Sequence, residues 1–102
     1  MSQWKKASMD TLFYEFQANI DEDCEVLIDD GFIKVKYMEN DEEVIYSGTE
    51  ESPGHFVLSC PSLDGKATLH RFLSKPGLPE SKILVGSWVQ DTARGLWKIT
   101  LS

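Results

Sequence analysis

The sequence predicts an all-β single domain, an antiparallel meander of about eight strands closing into a barrel. Three observations predict it. Apolar residues recur at a spacing of two along most of the chain, turn-forming residues break that pattern about every 10 to 13 residues, and no segment sustains the i, i+3, i+4 spacing of an amphipathic helix. The 102 residues suit one hydrophobic core, so 1–102 is read as a single β-barrel domain. With 41% apolar and 26% charged residues the chain has the balance of a folded domain, and two cysteines are too few for a disulfide scaffold.

The elements follow in order. Gln3 to Met9 lacks a sustained period and is read as at most a short N-terminal turn. Leu12, Tyr14, Phe16, Ala18 and Ile20 alternate with Phe13, Glu15, Gln17 and Asn19, the pattern of a half-buried first strand. Cys24, Val26 and Ile28 mark the second, Asp30-Gly31 supplies the positive-φ pair of a tight hairpin turn, and Ile33, Val35 and Tyr37 lie on the return strand. Glu39 to Glu43 turns the chain into Val44 to Ser47, and Ser52-Pro53-Gly54 turns it again into His55 to Cys60. Beyond Pro61 and the Asp64-Gly65 turn comes Lys66 to Phe72; Ser74 to Pro79 is too rich in proline and glycine to continue a ladder. Lys82 to Gln90 is the penultimate strand. After a bend at Asp91 to Gly95, Trp97, Ile99 and Leu101 alternate with Leu96, Lys98 and Thr100. Short connections join antiparallel neighbours, and closure removes the edges that would invite aggregation. A two-sheet β-sandwich is the alternative topology.

Gly86-Ser87-Trp88, followed by Gly95-Leu96-Trp97-Lys98-Ile99, resembles the Gly-x-Trp strand signatures of lipocalin-like and avidin-like barrels. The likeness covers the last hairpin, and it falls on the penultimate strand where lipocalins carry it on the first. It implies an architecture and no activity, with Trp88 as a floor or lid residue closing one end of the interior.

Charge narrows the partners. The net charge is -7, and it is uneven: residues 1–50 hold 4 basic against 13 acidic side chains, residues 51–102 hold 6 against 4. An acidic chain repels polyphosphate and anionic bilayers, so neither nucleic acid nor membrane is an expected partner. Asp10 interrupts the stretch where an export leader would need unbroken apolar residues, and no apolar run approaches the roughly 20 residues of a spanning helix. A soluble, cytoplasmic protein is expected.

Few chemistries have their residues. Cys24 and Cys60 belong to no CxxC or Cys/His pattern and read as buried free thiols. A calcium loop counted from Asp21 would place Val26 where glycine is needed and Phe32 where the closing glutamate belongs, so Asp21, Glu22, Asp23 and Glu25 read as a solvated turn. His55 and His70, the only histidines, sit in strand patterns, and Cys60 precedes Pro61 with no oxyanion-hole glycine beside it. No hydrolase, zinc-protease or nucleotide motif is present, so no catalytic residue, metal or cofactor is assigned and an enzyme is not expected.

The alternation turns Tyr14, Phe16, Tyr37, Tyr46, Phe56, Trp88 and Trp97 inward, where their bulk fills a narrow barrel or their polar tips converge on a small ligand. Arg71 joins them if Leu69 and Leu73 face inward, and then needs an acid or an anionic ligand; the opposite phase puts His70 and Phe72 inside. These eight residues are the candidate ligand-binding set. The expected function is non-catalytic binding of a small apolar or aromatic molecule in the interior. The alternative is an acidic interaction module that engages a basic protein through its N-terminal half.

Overall fold

Eight strands run up and down in chain order in the computed structural model, which describes residues 2–14, 16–73 and 82–101. They are β1 (Ser2–Phe13), β2 (Asn19–Asp29), β3 (Phe32–Glu39), β4 (Glu42–Ser52), β5 (His55–Cys60), β6 (Gly65–Leu73), β7 (Lys82–Gln90) and β8 (Ala93–Leu101). Each pairs antiparallel with the next, and β1 also pairs with β8 from Ser8 opposite Thr100 to Phe13 opposite Gly95. That last ladder closes the sheet. The architecture is the eight-stranded barrel implied by the last hairpin, and the sandwich alternative falls. The β1–β2, β3–β4, β5–β6 and β7–β8 connections gather at one end, here the mouth; the β2–β3 and β4–β5 turns mark the foot. Ser74 to Pro79 lies outside the described residues. No helix among those described is long and apolar enough to cross a membrane.

The tight turns work as their residues dictate. Asp30 and Gly31 adopt φ of 48° and 80°, and Asn40 and Asp41 adopt 52° and 64°, the left-handed pairs whose twist matches a two-residue hairpin. The acidic turn at residues 39–43 is therefore shorter than its composition suggests, with Glu39 and Glu42 already paired across the hairpin. At Gly31 an added Cβ would meet nothing within 4 Å, so Gly31→Ala should cost only the left-handed backbone penalty. Denaturant melts should show a loss of about 1 kcal/mol with an unchanged slope.

The start of the chain departs from the alternation. β1 occupies the segment read as an N-terminal turn, and the single strand expected over Leu12 to Ile20 is divided, β1 ending at Phe13 and β2 beginning at Asn19. Tyr14 and Phe16 are 56% and 78% exposed, so neither points inward. The inward phase of β1 is Ala7, Met9, Thr11 and Phe13, while Leu12 faces out. A bulge at Lys5-Lys6 accounts for the missing period: these two residues between Trp4 and Ala7 oppose the single Glu25 between Val26 and Cys24. Both lysines face solvent, and Trp4 and Ala7 share the inner side.

The interior is packed from the foot upward by Ile33, Phe56, Leu69, Leu84, Ile99 and Leu101, then by Val35, Tyr46, Leu58 and Trp97. On β6, Ala67 and Leu69 are buried and Phe72 is exposed, which resolves the phase in favour of an inward Arg71. Its guanidinium carbon lies 5.6 Å from the Trp4 ring centre, and its Nε is buried with no hydrogen-bond partner. The neighbour it finds among the described residues is the Trp4 ring.

The Gly-x-Trp repeats have a packing reason. Antiparallel register sets Gly86 opposite Trp97 and Trp88 opposite Gly95, so each indole faces a residue without a side chain. The two rings stack at 6.3 Å between centres with planes 24° apart. Two large groups thus share a barrel level that could not hold four.

Candidate functional site

Toward the mouth the inward positions change character. Two residues beyond Met9 the inner position is Thr11, two before Cys24 it is Glu22, two beyond Tyr37 it is Glu39, and two beyond Trp88 it is Gln90. A second irregularity, between Met9 and Thr11 on β1, brings Asn19 opposite Thr11. These side chains are too polar to collapse into an apolar plug, and a cavity of about 350 Å³ is left at the mouth.

Aromatic rings build its lower part. Trp88 and Trp97 are buried; Phe13 meets Trp88 edge-on at 5.2 Å, and Tyr37 meets Trp97 edge-on at 6.1 Å. Two polar tips below are satisfied within the protein: Trp88 Nε1 donates to the Leu96 carbonyl at 3.3 Å, and the Tyr46 hydroxyl donates to Gln90 Oε1 at 2.9 Å. Thr11 differs. It is nine-tenths buried, lines the cavity, and makes no side-chain hydrogen bond among the described residues.

Tyr37, Trp88 and Trp97 of the candidate set line this cavity. Tyr46 packs edge-on against Trp97 at 4.9 Å and reaches Gln90, just outside the lining. Phe56 pairs with Leu69 in the lower core, and Arg71 lies at the foot, its backbone N–H donating to the Gly54 carbonyl. Tyr14 and Phe16 stand on the outer surface. Thr11, Asn19, Glu22, Glu39 and Gln90 escaped the alternation because a polar residue on an alternating strand is read as outward. Their signal was position: each sits in phase with buried neighbours, or is returned to phase by a bulge.

The titratable groups divide by place. Burial pushes the Tyr37 phenol well above its ordinary range, and neighbouring Tyr46 and the charges of Glu39 and Glu22 add to it. Burial pushes Tyr46 up to about 12 and Cys24 up to about 12, the latter assisted by Asp23 and Glu22. Cys24 and Cys60 are buried free thiols on β2 and β5. In the unfolded chain the Cys24 thiol and the Tyr37 and Tyr46 phenols ionise from about pH 9 and 10, whereas in the fold these three stay neutral. Their stabilising contribution is complete below about pH 9 and drains away as pH rises toward 12. Urea midpoints should fall between pH 8 and pH 11; a constant midpoint would show that these groups are solvated in the fold.

His55 and His70 stack across β5 and β6 on the outer wall, 4.4 Å between ring centres, and take no part in the cavity. A smaller hollow of about 150 Å³ beside the β1 bulge is bounded by Lys5, Cys24 and Lys36. The Lys36 ammonium there pairs with Glu25 at 3.2 Å and Glu43 at 3.6 Å. Among the described residues no three His, Cys, Asp or Glu side chains are placed to hold a metal ion. No protein-family model, curated protein or solved structure matches the chain.

Proposed function

We propose that this barrel is a non-catalytic binding protein that takes the apolar or aromatic part of a small molecule into its mouth. The observation that carries the reading is the 350 Å³ cavity over Trp88 and Trp97, at the small end of the roughly 300–1,000 Å³ of ligand sites. Rings below and hydrogen-bonding groups above would fix a compact ligand in one orientation. The reading differs from a fully internal ligand chamber, since packed side chains occupy the barrel below this level. Binding, with no chemical step, is supported by the placement of both histidines on the outer wall.

A fragment screen followed through the three indole N–H signals tests it. A binder in the mouth should move the Trp88 and Trp97 signals and leave that of Trp4, beneath Arg71 at the foot, unchanged. If no fragment at millimolar concentration moves either mouth signal, the reading is wrong.

A further inference from the structure

We propose that the mouth selects a positively charged organic ligand, a small ammonium carrying an apolar or aromatic group. The inference rests on the mouth being a ligand site and names the class it takes.

Two carboxylates, Glu22 and Glu39, line the cavity, and no lysine, arginine or histidine lines it among the described residues. Neither carboxylate has a salt-bridge partner among those residues; the ion pairs seen there use Glu25 and Glu43 on the outer wall. The turns around the mouth add Asp41, Asp64 and Asp91. Lys66 and Arg94, toward this end, occupy exposed, outward-phase positions, and Lys36 is paired with Glu25 and Glu43 on the outer wall. A concave, partly enclosed site edged by charges of one sign concentrates its field inside the opening.

The remaining lining fits the same occupant. An ammonium needs hydrogen-bond acceptors, and the unpartnered Thr11 hydroxyl offers one beside the carboxylates. It also gains from an aromatic lining of Phe13, Tyr37 and the indoles, which would stabilise neither an anion nor a strongly hydrated metal ion. An anionic ligand would meet two unpaired carboxylates. A neutral one would gain nothing from their charge.

Three near-isosteric probes separate charge from shape: 2-phenylethylammonium, 2-phenylethanol and phenylacetate, each titrated while the Trp88 and Trp97 indole signals are recorded. The ammonium should bind about tenfold or more tightly than the alcohol, phenylacetate should not bind, and raising the salt should erode the difference. The Glu22→Gln/Glu39→Gln variant should bring ammonium and alcohol to similar affinity while leaving that of the alcohol unchanged. Its fold can be verified by retained indole dispersion.

If the alcohol binds as tightly as the ammonium in the native protein, the charge inference falls and the mouth as a ligand site stands. If no probe moves either indole, both fall. A lysine-rich peptide that moves the same signals at lower concentration than the free ammonium would overturn the small-molecule assignment in favour of a basic protein partner.

Discussion

Trp97→Ala should lower the unfolding free energy by about 3–5 kcal/mol, the range for removing a large aromatic from a core that cannot close behind it. The ring is 1% exposed and lies between Trp88, Tyr46 and Tyr37, at 6.3, 4.9 and 6.1 Å between centres. On the β7 side its cross-strand neighbour is Gly86, so no side chain stands there to swing into the space. A domain of this size has about 5–15 kcal/mol in total, and the variant should sit near its folding threshold. Denaturant melts read the effect directly. Phe16→Ala, at a side chain 78% exposed, should change stability by no more than about 0.5 kcal/mol. Equal effects from the two substitutions would contradict the inward placement of Trp97.

Gly86→Ala should destabilise nearly as much, about 3 kcal/mol, by the opposite mechanism. A Cβ built on Gly86 falls on the Thr68 carbonyl oxygen of the adjoining strand. Backbone cannot rotate away as a flexible side chain would. The pinch lies inside the β6–β7 ladder, between the Ala67–Trp88 and His70–Val85 pairs, with the Thr68 and Ser87 hydroxyls bonded at 3.1 Å alongside. Relieving the overlap means separating the strands there and losing ladder bonds. The neighbouring Ser87→Ala, exposed on the outer face, should be mild by comparison. A Gly86→Ala protein as stable as the parent would show that the strands can part at this point without cost.

These two residues also explain why the last hairpin was the most informative part of the chain. Gly-x-Trp on one strand and Gly-x-Trp on its antiparallel neighbour interlock ring against gap, a relation already present in the spacing once the hairpin is granted. The turns were equally plain, because positive φ is a local demand that Asp30-Gly31 meets within two residues. Arg71 was less so: alternation offered two phases for β6, and burial of Ala67 and Leu69 selected one.

Local chemistry alone therefore determined the strand class, the positions of most turns, the number of strands and the meander they form, since side-chain alternation and turn preference act over a few residues. The tertiary structure decided what no short window contains. Closure of β1 onto β8 and the bulge at Lys5-Lys6 set the inner face of the first strand, leaving Tyr14 and Phe16 outside. Pairing on both sides likewise set Thr11, Glu22, Glu39 and Gln90 around the mouth cavity, as polar residues in phase with buried neighbours. The physical reason is that a strand's period gives two faces without saying which is which; only its hydrogen-bonded partners, distant in sequence, choose between them.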